Sequence, residues 1–103
     1  SRLLMRKTTN HQSVRGLTLN VGNMTVLYEG NTAELTKNET RILASLMKKE
    51  LVTREEIIED LWNNSLYIDE NTLYVNINRL REKLKVLNAK DFIKTVRGVG
   101  YRL

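Results

Sequence analysis

The chain contains no cysteine and only one histidine among its 103 residues. The lack of cysteine excludes a disulfide framework, a thiolate zinc site and a cysteine nucleophile. His11 lies in a polar stretch, where we interpret its side chain as solvated and not as a catalytic group or a metal ligand. Neither a glycine-rich phosphate loop nor a cluster of metal ligands is present in the sequence. The sequence therefore predicts a protein that is not an enzyme and needs no cofactor.

Long apolar runs are missing as well. No segment approaches the roughly 20 apolar residues that a membrane-spanning helix needs, and the first five residues are too short for the apolar region of a signal peptide. We therefore expect no membrane partner, and the lack of cysteine is compatible with a cytoplasmic location. The length of the chain suits one domain with a single core.

Positive charge is concentrated in the last third of the chain. Residues 1–36 hold four basic and two acidic side chains, and residues 37–70 hold five and eight. Residues 71–103 hold eight basic and two acidic side chains, which makes their net charge +6, against +5 for the whole chain. A basic segment of this kind is typical of a surface that binds phosphates.

Residues 69–84 predict one amphipathic helix. Asp69 is placed to cap its N-terminus, where the helix dipole favours negative charge. Apolar residues with spacings of four, three and four form a single stripe: Leu73, Ile77, Leu80 and Leu84. This is the period of a helix that buries one face.

The opposite face of this helix carries amide, hydroxyl and guanidinium groups around a valine. Its members are Asn71, Val75, Asn78, Arg79 and Glu82, flanked by Thr72, Tyr74 and Arg81. Arginine suits guanine, asparagine suits adenine or phosphate, and an aliphatic side chain suits the thymine methyl group. The face therefore predicts a helix that reads DNA, and an ordinary surface helix is the alternative.

The residues before this helix predict a linker, a small sheet and two shorter helices. Residues 1–13 are polar at their end and predict a linker, with residues 2–7 resembling the end of a helix from an upstream domain. From residue 14, apolar and polar residues alternate in runs separated by turn residues, which predicts three antiparallel strands in a meander. Two capping boxes follow, Thr36 with Glu39 and Thr53 with Glu56.

We expect the first of these helices to end near Lys49, and the two residues before Thr53 to form a short extended link. Between the second and third helices, residues 63–68 lack a clear period and predict a loop. Leu66, Tyr67 and Ile68 are more apolar than a solvated loop requires. We favour the interpretation that they plug the core, and contact with a partner is the alternative.

Residues 92–103 predict a β-hairpin with its turn at residues 97–100, where Gly98 and Gly100 permit the required backbone angles. Arg97 at its tip could enter a minor groove, and a turn arginine without a partner is the alternative. The order of elements predicts an α+β winged helix-turn-helix over residues 14–103. It has an N-terminal antiparallel sheet, three helices and a C-terminal β-hairpin wing.

Residues 71–84 and 93–102 closely resemble the DNA-binding domain of the OmpR/PhoB family of bacterial response regulators. The most specific motifs are Arg79-Leu80-Arg81 and Thr95-Val96-Arg97-Gly98-Val99-Gly100-Tyr101. The resemblance covers residues 14–103 and implies a four-stranded N-terminal sheet. A narrower resemblance, over residues 69–81, is to the subgroup from low-GC Gram-positive bacteria that controls resistance to antimicrobial peptides and cell-envelope antibiotics.

The resemblance also implies roles for individual residues. Base contacts are implied for Thr72, Tyr74, Val75 and Arg79 in the major groove and for Arg97 in the minor groove. Positions near phosphates are implied for Trp62, Asn71, Asn76, Asn78, Arg81, Thr95 and Tyr101. Contact with RNA polymerase is implied for the loop residues Asn63, Asn64, Ser65, Leu66, Tyr67 and Ile68. Better-known members often carry basic residues in place of Asn71 and Asn78, so we expect weaker binding and a shallower salt dependence.

The resemblance finally implies partners for the whole protein. These are a sensor histidine kinase acting on an absent receiver domain, RNA polymerase, and duplex DNA with a direct-repeat operator. The full-length phosphorylated protein is expected to form a homodimer, and this fragment a monomer. The alternative function is a winged-helix protein-interaction module whose basic face meets an acidic protein partner.

Overall fold

The computed structural model describes residues 11–89 and 91–103. The predictions for residues 1–10 and for the His11 side chain lie outside the described residues. The N-terminal part is an antiparallel sheet in the order β1-β2-β3-β4. Its strands are β1 (His11–Val14), β2 (Leu17–Asn20), β3 (Thr25–Tyr28) and β4 (Asn31–Glu34). The sheet thus has the four strands that the family resemblance implies, and not the three of the alternation pattern.

The additional strand arises from a turn at Arg15 and Gly16. Both residues have positive φ angles, 50° and 85°, as a tight two-residue hairpin requires. The turn pairs β1 with β2 and interrupts the predicted single run that begins at Val14. Residues 11–13 were predicted to be part of a linker (1–13), but they belong to the edge strand β1. An edge strand is held by backbone hydrogen bonds to its neighbour and needs no apolar pattern of its own, so the sequence does not reveal it.

Three helices follow: α1 (Lys37–Leu46), α2 (Arg54–Asn63) and α3 (Glu70–Val86). Both predicted capping boxes are present, with reciprocal hydrogen bonds between Thr36 and Glu39 and between Thr53 and Glu56. Helix α1 ends before the predicted Lys49, because the charged residues 48–50 do not continue its apolar stripe.

The apolar stripe of α3 lies at the centre of the core. Its four members, Leu73, Ile77, Leu80 and Leu84, are at most 1% exposed. They share one apolar cluster with the inner residues of the sheet, with α1 and with α2. Burial of this face leaves the opposite, polar face of α3 at the surface.

The C-terminal wing belongs to a second sheet, in the order β5-β7-β6. Its strands are β5 (Val52–Thr53), β6 (Lys94–Val96) and β7 (Gly100–Arg102). The predicted extended link is therefore a strand that joins the wing to the start of α2. Phe92 and Ile93, predicted as part of the wing strand, are buried in the core ahead of β6.

A buried ion pair fixes α3 against α1. Glu39 is 1% exposed, and its carboxylate accepts hydrogen bonds from Lys83 Nζ at 2.6 Å and from the Thr36 amide at 2.9 Å. Lys83 Nζ also donates to the carbonyl oxygen of Glu34 at 3.0 Å. The same carboxylate thus caps α1 and holds α3, which sets how α3 presents its outer face.

Candidate nucleic-acid interface

The outer face of α3 begins at a capped N-terminus. The Asp69 carboxylate accepts a hydrogen bond from the Thr72 amide at 2.8 Å. This hydrogen bond holds the pKa of Asp69 below its usual value, so the side chain is a charged cap near neutral pH. The cap confirms the predicted start of the helix and fixes which residues face outward.

Four residues predicted to contact bases in the major groove lie exposed on this face: Thr72, Tyr74, Val75 and Arg79. Tyr74 is 57% exposed and Val75 is 40% exposed. A tyrosine and a valine side by side at the surface, next to an arginine, form a mixed apolar and hydrogen-bonding patch. Apolar and hydrogen-bonding groups of this face are therefore both accessible from solvent.

A groove separates this face from the first turn of α1. Its walls include Lys37 and Asn38 on one side and Asn71, Val75 and Arg79 on the other. The amides at a helix N-terminus carry partial positive charge, and Lys37 adds a full charge. No motif in the sequence identifies these α1 residues as part of the interface, although the Thr36 capping box marks the helix end on which they lie.

Three residues predicted to lie near phosphates meet between α3 and the wing. Arg81 Nε donates to the carbonyl oxygen of Ile93 at 3.2 Å, and Arg81 Nη2 donates to Thr95 Oγ1 at 2.6 Å. Arg81 Nη1 donates to Asn78 Oδ1 at 3.4 Å. Three nitrogen atoms of the guanidinium group thus donate hydrogen bonds within the domain.

Three other residues predicted to lie near phosphates are buried or use a polar group in a hydrogen bond within the domain. Asn76 and Tyr101 are each 6% exposed, and Asn76 Nδ2 donates to the Thr72 carbonyl oxygen at 2.9 Å. Trp62 remains 53% exposed, but its indole N–H donates to the carbonyl oxygen of Ile68 at 3.1 Å. Asn71, which is also predicted to lie near phosphates, is exposed.

The loop at residues 63–68 divides between the core and the surface. Ile68 is buried and Leu66 is half-buried against the core, as the favoured interpretation predicts. Tyr67 is 69% exposed and packs edge to face on Trp62, with ring centroids 5.4 Å apart. The exposed aromatic pair leaves part of the loop open to a partner.

The wing presents cations along its length. Arg97 is exposed at the hairpin turn, which a hydrogen bond from the Val99 amide to the Val96 carbonyl oxygen closes. Lys94 and Arg102 are direct cross-strand partners, and both are exposed. Like charges placed opposite each other oppose pairing of the strands, and a bound polyanion relieves this repulsion. The sequence does not reveal this pair, because strand register is not visible in the residues alone.

Arg54 is a further cation beside the wing. It opens α2 directly after Thr53, which pairs with Gly100 of β7. Its Nε is buried and has no hydrogen-bond partner among the described residues. Because this donor is buried, an anion at the surface does not reach it directly.

Two kinds of feature are absent from residues 11–89 and 91–103. No group of acidic and histidine side chains there is arranged to hold a metal ion. In the same residues, no helix combines the length and apolar character needed to cross a membrane.

The family described as "Transcriptional regulatory protein, C terminal" matches residues 30–103, more than half of the chain. The chain belongs to the OmpR/PhoB family of response-regulator DNA-binding domains. This family consists of transcription-regulator domains and not of enzymes. The α+β winged-helix prediction is confirmed, since the fold matches that of solved members.

Related proteins support the narrower resemblance too. The sensory transduction protein BceR of Bacillus subtilis (strain 168) is 49% identical over 72 residues, which cover 68% of this chain and 31% of that protein. The BceR protein of Halalkalibacterium halodurans is 37% identical over 107 residues, which cover 95% of this chain and 46% of that protein. The chain thus spans about a third to a half of the length of these curated relatives.

Solved structures give the same result. The C-terminal domain of the nisin resistance regulator NsrR, a lantibiotic response regulator, is 39% identical with a TM-score of 0.79. The match covers 88% of this chain and 94% of that chain. The DNA-binding domain of CpxR from E. coli is 29% identical with a TM-score of 0.71, and the match covers 90% of this chain and 94% of that chain. The predicted similarity to antibiotic-resistance regulators is therefore confirmed.

Proposed function

We propose that this domain recognises a specific duplex DNA sequence, with α3 in the major groove and the wing in the adjacent minor groove. The observation that carries the proposal is the exposed face of α3, with Tyr74, Val75 and Arg79 side by side. These side chains combine the apolar and hydrogen-bonding contacts that base edges accept. The proposed base contacts are Thr72, Tyr74, Val75 and Arg79, with Arg97 in the minor groove.

Basic groups on both sides of that face support the proposal. Lys37 lies across the groove on the α1 side, and Lys94, Arg97 and Arg102 extend along the wing. Cations that flank a reading helix hold the two phosphate backbones that border a major groove.

We propose the following partners and setting for the whole protein. A receiver domain ahead of β1 is phosphorylated by a sensor histidine kinase, and the phosphorylated protein binds direct repeats as a homodimer. The fragment alone is a monomer, the location is cytoplasmic, and RNA polymerase contacts the loop 63–68. The exposed Tyr67 and Trp62 rings support the last of these proposals. The similarity to NsrR, a lantibiotic response regulator that regulates nisin resistance, supports a role in the control of lantibiotic resistance.

Selection from a randomised duplex pool at moderate salt tests the DNA-binding proposal. We expect enrichment of two like half-sites in direct repeat, about one helical turn apart. Retention without enrichment would restrict the basic face to the DNA backbone and contradict sequence reading. Salt-sensitive binding to an acidic protein, with none to duplex DNA, would support the protein-interaction alternative.

Arg79→Ala is expected to weaken binding to the selected site by about 1–3 kcal/mol, because a bidentate contact to guanine is lost. Repeating the selection with the variant should show relaxed preference at one base position. Lys48→Ala is the matched control, since it removes one charge from the α1–α2 side, where Lys48 pairs with Asp60. An equal loss on the selected and on random duplexes would contradict a base contact by Arg79.

Arg97→Ala is expected to weaken binding by about 1 kcal/mol, roughly fivefold in Kd, when the flank beside the wing is rich in A·T pairs. A narrow A·T minor groove has an enhanced negative potential, so the loss should shrink on a G·C flank. Fluorescence anisotropy with two duplexes that differ only in this flank measures the difference. A variant that binds both duplexes like the parent would remove the wing from the proposed interface.

A further inference from the structure

Arg81 connects the reading helix to the outer part of the wing. From one turn of α3 it reaches the Ile93 carbonyl oxygen just before β6 and the Thr95 hydroxyl in the middle of β6. Asn78, three residues earlier on the same helix, accepts from the same guanidinium group. Arg81 is half-buried, and its bond to the Ile93 carbonyl oxygen is partly buried, whereas its bond to the Thr95 hydroxyl lies at the surface.

The outer strand of the wing, β6, has few other attachments, whereas β7 is anchored by the buried Tyr101. Strand β6 is the edge of its sheet, with β7 as its only strand partner among the described residues. Strand β5, on the far side of β7, has two residues. Phe92 and Ile93 are buried in the core and anchor the chain before β6 begins. The hydrogen bond from Arg81 to Thr95 holds the wing closer to its tip, two residues before Arg97.

We propose that Arg81 is a positioning residue that locks the wing to α3, so that the two grooves are read as one unit. The inference rests on the proposed DNA-binding function. A wing held at a fixed distance and angle from α3 delivers Arg97 to the minor groove without a further ordering cost. A wing released from α3 must become ordered when DNA binds, and this loss of conformational entropy offsets most of the affinity that Arg97 contributes.

A double-mutant cycle tests the proposal on the 103-residue chain with the selected duplex. In the parent, Arg97→Ala should cost about fivefold in Kd on the A·T flank. In the Arg81→Gln background, and separately in Thr95→Val, the same Arg97→Ala change should cost less than about twofold. Thr95→Val keeps a β-branched side chain and the net charge while it removes the hydroxyl that Arg81 binds.

Controls separate positioning from general damage and from direct phosphate contact. Lys48→Gln matches the charge change of Arg81→Gln, and Thr32→Val matches Thr95→Val at an exposed position of β4. Neither control should alter the cost of Arg97→Ala. Should Arg81→Gln fail to fold, as circular dichroism and thermal unfolding would reveal, Thr95→Val carries the test.

Two results would overturn the proposal. One is an undiminished, roughly fivefold cost of Arg97→Ala in both backgrounds. The other is a salt slope that falls by about 0.9 in Arg81→Gln while Thr95→Val binds like the parent, which identifies a phosphate contact alone. A failure of the DNA-binding proposal itself looks different, since the parent would then select no sequence at all.

Discussion

Gly100→Ala is expected to lower the free energy of unfolding by about 3 kcal/mol or more. A Cβ atom at this position would lie 2.1 Å from the Val52 carbonyl oxygen and 2.7 Å from the Thr53 Cα atom. Both atoms belong to the backbone of β5, which pairs with β7 at this point. The clash is therefore relieved only if the strands move apart, and urea unfolding followed by the fluorescence of Trp62, the single tryptophan, measures the cost.

Gly98→Ala provides the matched control in the same hairpin. Gly98 has a φ angle of 73°, but nothing lies within 4 Å of the position its Cβ would occupy. Strain at positive φ alone should cost about 1–2 kcal/mol. Equal losses for both variants would mean that the close approach of β5 and β7 does not limit stability. Because β5 joins the wing to α2, Gly100→Ala should also weaken binding to A·T-flanked duplexes more than Gly98→Ala does.

The affinity for the selected duplex is expected to fall by about two to three orders of magnitude between about 50 and 200 mM salt. This estimate assumes that about five phosphates are neutralised, which gives a slope of about −4.5 in a plot of log K against log salt concentration. The exposed cations that flank the reading face are the source: Lys37, Lys85, Lys94, Arg97 and Arg102. Anisotropy titrations over a series of salt concentrations measure the slope.

Single substitutions should change that slope in a position-dependent way. Lys94→Gln and Arg102→Gln should each reduce its magnitude by about 0.9. Lys49→Gln should leave it unchanged, because Lys49 pairs with Glu56 on the α1–α2 side. A slope that responds equally to all three variants would indicate an effect of net charge, without a defined phosphate-binding face.

The pair of Lys94 and Arg102 has a second consequence for the free protein. Two cations face each other across adjacent strands of a short hairpin, which weakens the hairpin while no anion is bound. If the wing binds DNA as proposed, we expect the bound DNA to stabilise it. The bond from Arg81 to Thr95 acts against the repulsion in the free domain, because it holds β6 to α3 independently of DNA.

Several features of this protein follow from the sequence by itself. The capping boxes at Thr36 and Thr53 and the Asp69 cap mark the starts of the three helices, because each cap is a hydrogen bond within one turn of the chain. The apolar period of α3 determines which face is buried and leaves the reading face outward. The glycines after Arg97 place the hairpin turn. Each of these features depends on residues that are close together in the sequence, so the sequence alone is enough to predict it.

The tertiary structure decided the rest. Pairing of β5 with β7, the register that sets Lys94 against Arg102, and the hydrogen bonds from Arg81 to residues 93 and 95 all join separate elements. The burial of Asn76 and Tyr101 likewise depends on what packs around them. Motif similarity supplies the family and the candidate positions. Packing determines which polar groups are already paired within the domain and which remain free for DNA, because that choice depends on neighbours far away in the sequence.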